Sequence, residues 1–277
     1  MFGLMTTLSS ADRDKGMPGS HVIPFESSGG LMMVEATVDG TSGYFIFDSG
    51  SEAIILNNPH VQNDEIQFKS LSGELTAARS TISSLSLSGY RLSDLEAYTS
   101  DLSHLSHLVS GKFLGILGTY ALQADVIRID IKNSFISIYN GTPVSLDGSK
   151  KIYSMDFEVE GDLIILPISI ADQQFSFLLD TGASASIIST KAADQLSDYL
   201  NLTQRDISLT STHGEETHQS IELPIVELGQ VIVQNLELIE VDLDDLGISF
   251  DGILSLEQLN IADLILDFTA NRLYFSI

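Results

Sequence analysis

The chain has 277 residues, with 13 Lys and Arg against 38 Asp and Glu for a formal charge of −25, 43% hydrophobic residues and no cysteine. This composition excludes wholesale disorder and supports one or two compact units, and the missing thiols exclude disulfides, thiolate metal sites and cysteine nucleophiles. So large a negative charge repels a phosphate backbone, so no nucleic-acid partner is expected.

In chain order, the first twenty residues, MFGLMTTLSSADRDKGMPGS, have neither a basic n-region nor an apolar h-region long enough for a signal peptide, and predict a mobile leader over 1–20. No later stretch approaches 18 uninterrupted apolar residues, so no membrane span is expected. Residues 21–140 read mostly as strand, with the short apolar runs ATVDG, YFIFDSG, SLSLSGY and ISIYNG separated by turn residues. Apolar spacing of three and four behind a Ser predicts a short helix over 100–109. His104 and His107 on it have no third ligand at a recognisable spacing, so surface histidines are expected there and no metal site. Residues 141–151, GTPVSLDGSKK, lose the apolar periodicity and predict a linker.

The second half, 152–277, repeats the strand pattern in ILPISIADQQ, IELPIVELGQ and VIVQNLELIEV, with a capped helix expected over 189–200. Asp242, Asp244, Asp245 and Asp251 cluster in VDLDDLGISFDG. Leu246 and Ile253 stand there where a calcium loop needs oxygen donors, so a solvated acidic loop is expected.

The two halves are copies of one another. LMMVEATVDGTSGYFIFDSGSEAIIL, from Leu31, aligns with LIILPISIADQQFSFLLDTGASASIIS, from Leu163, so that Asp48 falls on Asp180. GILGTYALQADVIRIDIKNSFISIY, from Gly115, aligns in turn with GILSLEQLNIADLILDFTANRLYFSI, from Gly252. Such a duplication predicts two similar lobes packed around one shared cleft.

Each copy passes from an apolar strand, FIF or FLL, into Asp48-Ser49-Gly50 or Asp180-Thr181-Gly182, and then into another apolar run. Alone, either tripeptide is an ordinary turn. Together, between apolar runs, they carry two carboxylates inward, where a pair can share one proton and so hold one acid and one base.

The FDSGS and LDTGA turns, each followed by an apolar-apolar-Gly element seen as Gly115-Ile-Leu-Gly118, resemble the aspartic protease superfamily, specifically retropepsin-like domains arranged in tandem as the lobes of a pepsin-like chain. The resemblance covers most of each half. It implies an all-β fold of two similar retropepsin-like β-barrel lobes with a few short helices and an interlobe cleft. It further implies an endopeptidase in which Asp48 and Asp180 are the catalytic pair that activates water, with no metal and no cofactor. Ser49, Gly50 and Ser51, with Thr181, Gly182 and Ala183, form the supporting turns, the Ser49 and Thr181 hydroxyls binding across the interface and the glycines admitting close backbone approach. Hairpins with Gly73 and Gly214 near their tips are expected to cover an extended peptide or protein substrate. With both halves in one chain, a monomer holds the complete site. Many members are exported, although no export segment is visible here.

Two positions depart from symmetry. Ser51 is expected to give Asp48 a hydroxyl donor that Ala183 cannot give Asp180, making Asp48 the resting base and Asp180 the proton holder. Ser255 stands where the family pattern has Gly, which predicts strain behind Asp180. The alternative function is a peptide-binding module of the same fold weakened in catalysis. A third reading makes each half a self-associating lobe.

Overall fold

The computed structural model describes residues 20–60, 65–70, 73–140, 151–211, 214–244 and 248–277, with backbone alone over the parts of 61–74 and 201–219 that fall within these. The first half contains β1 (Ser20–Ser28), β2 (Leu31–Val38), β3 (Thr41–Asp48), β4 (Ile54–Asn57), β5 (Glu65–Ser70), β6 (Gly73–Leu87), β7 (Tyr90–Ser100), β8 (Phe113–Gly118), β9 (Val126–Asp130) and β10 (Phe135–Tyr139). The second contains β11 (Tyr153–Asp156), β12 (Glu158–Glu160), β13 (Leu163–Ile170), β14 (Gln173–Asp180), β15 (Ser186–Ser189), α1 (Thr190–Gln195), β16 (Asn201–Ser211), β17 (Gly214–Leu228), β18 (Val231–Val241), β19 (Gly252–Ser255), β20 (Asp263–Asp267) and β21 (Arg272–Ser276). The expected leader and linker lie outside the described residues, apart from Ser20, which opens β1, and Lys151.

The duplication seen in sequence is repeated strand for strand. One lobe is ordered β2-β3-β8-β4-β7-β6-β5 and the other β13-β14-β19-β15-β18-β17-β16. In both, the strand that ends on the Asp lies parallel to the strand of the apolar-apolar-Gly element, β3 beside β8 and β14 beside β19. The fold is therefore all-β with two similar barrel-like lobes.

Packing follows from period-two alternation on strands buried on both faces. Phe45 and Phe47 in β3, and Phe177 and Leu179 in β14, point into one large core that runs through both lobes. The residues between them point the other way. Ile46 joins Met33 and Ile116 in a satellite cluster, and Leu178 joins Ile165 and Ile253 in its counterpart. No helix of the described residues is long and apolar enough to cross a membrane.

Helix is shorter than the sequence pattern suggests. Ser189 caps α1, its hydroxyl accepting the Ala192 N–H at 3.1 Å, but the helix stops at Gln195 because the Leu196 N–H is shared among three preceding carbonyls as the chain tightens. Over 100–109 only a 3-10 turn forms, Ser103–Leu108. Ser100 is still paired to Asn57 in the sheet, and the turn has no side-chain cap of its own.

The halves are joined by a six-stranded antiparallel sheet ordered β1-β10-β9-β20-β21-β11. At its centre β9 meets β20 in a register that sets Arg128 opposite Ile265, which is the residue equivalent to Arg128 in the other copy, so the pseudo-twofold axis passes between them. Arg128 is buried and donates Nε to Asp263 Oδ1 at 3.0 Å and Nη2 to Asp263 Oδ2 at 2.8 Å, with Asp130 Oδ2 a further 3.3 Å from Nη2. Asn133 supplies Asp130 with a backbone and a side-chain donor, both at 2.9 Å. One guanidinium thus offsets two buried carboxylates, and its removal takes that charge-assisted bonding from both. Arg128→Met is expected to lower the free energy of unfolding by about 3–5 kcal/mol in urea titrations at neutral pH. Arg272→Met, which breaks a solvent-exposed bridge to Asp156, should cost about 1 kcal/mol or less.

Candidate active site

β3 and β14 each end on an aspartate because an apolar strand running through the core must turn where the lobes meet. The turn residues then satisfy the backbone groups that the strand gives up. In each turn the carboxylate folds back onto the glycine two residues on, Gly50 N–H to Asp48 Oδ1 at 2.8 Å and Gly182 N–H to Asp180 Oδ1 at 2.7 Å.

The two turns are locked to each other by four buried bonds. The Ser49 N–H donates to Thr181 Oγ1 at 2.9 Å and the Thr181 N–H to Ser49 Oγ at 3.0 Å, while Ser49 Oγ donates to Leu179 O at 2.7 Å and Thr181 Oγ1 to Phe47 O at 2.9 Å. Every donor is in one half and its acceptor in the other. The lock is dry: Ser49 is 0% and Thr181 2% exposed.

This lock brings the carboxyls of Asp48 and Asp180 close enough to influence one another's ionisation. Each glycine faces the opposite acid. A Cβ on Gly50 would sit 2.5 Å from Asp180 Oδ2, and one on Gly182 would sit 2.6 Å from Asp48 Oδ1, so neither turn tolerates a side chain there. The glycines are needed here for space and not for a positive φ.

Burial pushes the Asp180 carboxyl well above the ordinary carboxylate range, and the neighbouring Asp48 charge pushes it further, against the pull of the Gly182 and Ala183 N–H groups. Burial also raises Asp48, but the hydrogen bond from Asp180 and the Gly50 N–H hold it back. Asp180 is 8% exposed and Asp48 half-buried. Both carboxyls are thus biased toward the protonated form, Asp180 more strongly than Asp48.

The hydroxyl donor anticipated for Asp48 is not found. Ser51 Oγ donates forward to Ala53 O at 3.0 Å and takes no part in holding Asp48, because a Ser closing its own turn reaches the backbone two residues ahead more easily than a carboxylate behind it. Ala183, in turn, serves Asp180 with its backbone N–H. The two acids differ in exposure, Asp180 being the more buried, and the Ser51 hydroxyl does not distinguish them.

The strain anticipated at Ser255 is also absent. Asp48 pairs with Gly118, and Asp180 pairs with Ser255 at the same register. Ser255 has φ −69°, ordinary extended backbone, and its hydroxyl donates to Ala183 O at 2.8 Å. Gly118 has φ −65°, equally ordinary; what it lacks is room, since a Cβ there would collide with the Ser51 and Ala53 carbonyls.

Asp251 does not belong to a solvated loop. It is half-buried and accepts the Ser176 N–H at 2.8 Å and the Ser176 hydroxyl at 3.0 Å, pinning β14. Asp245 lies outside the described residues. Gly73 and Gly214 open β6 and β17 opposite Ser70 and Ser211, and the tips between them, 71–72 and 212–213, lie outside the described residues. Because β6 meets β7 only from Ala78 and β17 meets β18 only from Ser220, both hairpins run past the body of their sheets. Among the described residues, no group of three or more His, Asp or Glu is placed to hold a metal ion.

Comparison with known proteins agrees with this architecture. Residues 166–257, which include the Asp180 turn and Ser255, match the family model described as aspartyl protease. Among solved structures, the aspartic proteinase from Irpex lacteus superposes with a TM-score of 0.59 at 13% identity, over 93% of this chain and 97% of that one. No curated protein sequence gives a significant match. The chain thus has the two-lobed fold of the aspartic proteinases.

A carboxyl whose pKa is raised by folding gives stability that is fully present below its ordinary value of 3.8 and is lost as pH rises through the folded value. Asp180→Asn cannot ionise and is spared that loss. Its thermal midpoint relative to the unaltered protein is therefore expected to climb as the pH is raised above 3.8 and to level off once the folded value is passed, as melts at acid, mildly acid and neutral pH would record.

Proposed function

We propose that this protein is an aspartic endopeptidase that hydrolyses peptide bonds with a water molecule activated by Asp48 and Asp180. The observation that carries the reading is the pair of Asp turns locked together at the junction of the lobes, with Gly50 against the Asp180 carboxyl and Gly182 against the Asp48 carboxyl. Half-buried Asp48 is open to a water, and Asp180 holds the proton that a developing oxyanion needs.

The chemistry balances without a covalent intermediate. Asp48 takes a proton from water as the water oxygen bonds to the scissile carbonyl carbon, and Asp180 gives its proton to the carbonyl oxygen, leaving a gem-diol. The C–N bond then breaks as Asp48 returns its proton to the leaving nitrogen. One hydroxyl proton passes back to Asp180, which restores the starting state.

An extended peptide suits this geometry because the β5–β6 and β16–β17 hairpins run past the body of their sheets and, among the described residues, leave β5 and β16 as the outermost strands of the two lobes, to which a peptide could add. Covering the substrate in this way would exclude water other than the reacting one and strengthen every charge interaction at the pair.

Incubation with a diverse peptide pool tests the reading. Cleavage is expected with a bell-shaped pH profile, falling on the acid side as Asp48 is protonated and on the basic side as Asp180 loses its proton. Asp48→Asn and Asp180→Asn should each reduce kcat/KM by roughly 10²- to 10⁴-fold. Binding of peptides with no cleavage at any pH would overturn it in favour of a binding module, and cleavage that survives either substitution would exclude a single shared site.

A further inference from the structure

The Asp180 turn is braced from behind by a buried hydrogen-bonded relay that the Asp48 turn lacks. Ser255, 0% exposed, lies directly beside Asp180 in the parallel pair of β14 and β19. Its hydroxyl donates to the Ala183 carbonyl at 2.8 Å, and its amide donates to Ser186 Oγ at 3.0 Å. The Ser186 amide donates in turn to Gln258 Oε1 at 2.8 Å. At the matching positions of the first half stand Gly118, Ile54 and Ala121, none of which has a side chain able to donate or accept. There the corresponding support is a backbone bond, Gly118 N–H to Ala53 O at 3.2 Å.

Ala183 connects this relay to the acid, because it follows Gly182, whose N–H donates to Asp180 Oδ1 at 2.7 Å, and its own N–H adds to that pull on the carboxylate. Holding Ala183 at its carbonyl restrains the turn that presents these amides. On the reading of the acid pair given above, we propose that Ser255 is a positioning residue that acts through Ala183 to keep the amide donors of the turn on the Asp180 carboxylate. In this chain the glycine of the apolar-apolar-Gly element has been exchanged for a hydrogen-bonding brace.

The consequence has a sign. Amide donors favour the ionised carboxylate, so loosening them makes Asp180 harder to ionise and moves the upper titration step of the pair to higher pH. The basic limb of the activity profile should move the same way. Because the scaffold that binds substrate is untouched, kcat should fall and KM should stay.

The test titrates the aspartate carboxyl carbons by NMR in the full chain and in Ser255→Ala, Ser255→Gly and Ser186→Ala, with peptide cleavage followed in parallel. Ser137→Ala, a buried serine in the interlobe sheet away from the turn, controls for general loosening. Ser255→Ala and Ser255→Gly are expected to shift the upper step of the Asp48 and Asp180 pair to higher pH and to lower kcat roughly three- to tenfold, the weight of one hydrogen bond, at unchanged KM. Ser186→Ala should shift it less in the same direction, and Ser137→Ala should not shift it. An unmoved step in both Ser255 variants, with only the thermal midpoint lowered, would overturn the inference while leaving the peptidase reading intact. A moved step in a protein that cleaves nothing would uphold the inference and remove the peptidase reading.

Discussion

Two carboxylates cannot occupy one buried junction unless something holds them there against their mutual repulsion and their loss of water. In this protein that task falls to the four crossed bonds between Ser49 and Thr181, each of which begins in one half and ends in the other. The rest of the site depends on that lock. It sets the separation of the turns, and the turns allow only glycine at positions 50 and 182 because the opposite carboxylate fills the space a side chain would need. A shared proton relieves the repulsion, and burial raises both carboxyls toward holding it, Asp180 the more strongly. A geometry fixed by neutral hydroxyls and amides thereby dictates a charge state.

The interlobe sheet performs the complementary work at a distance. The lock joins the halves at a point, whereas β9 and β20 join them along a line, with Arg128 bound in parallel by both oxygens of Asp263. Two parallel charge-assisted bonds resist rotation as well as separation. The single large core that runs through both lobes makes the same demand, since neither half can shift without opening it. The acids are thus held in register by apolar packing, by one buried ion cluster and by four hydrogen bonds.

Much of this was legible in the chain. The duplication paired Asp48 with Asp180 and forecast two matching lobes, because strands buried on both faces leave a period-two record that survives divergence, as Phe45 and Phe177 or Ile46 and Leu178 illustrate. What was not legible concerned direction and space. A Ser after Asp-Ser-Gly gives no sign whether its hydroxyl turns back to the carboxylate or forward to Ala53 O. A Gly gives no sign whether it serves a positive φ or a close neighbour, and Gly118 serves the second, which is why Ser255 is unstrained in a copy of the turn that leaves it room. The relay through Ser186 and Gln258 joins residues brought together only by folding. Arg128 in VIRID does carry a signal in the sequence, since a charge inside an apolar strand needs a buried partner.

The departures from symmetry have a common logic. In a strictly twofold pair the two acids would be equivalent, and no geometric feature would assign the proton to one of them. This chain breaks the equivalence in depth, with Asp180 buried and Asp48 half-buried, and in support, with Ser255 where the other copy has Gly118. The pairing of the halves is broken in the same sense. Two copies of the first half joined in the register of β9 and β20 would set Arg128 against Arg128 across the axis, a buried like-charge contact, whereas the observed pairing sets it against Ile265 and within reach of Asp263. The ion cluster therefore does more than bind the halves: it makes the first half the wrong partner for a second copy of itself, and so favours the pairing of unlike halves in which the two acids differ in surroundings.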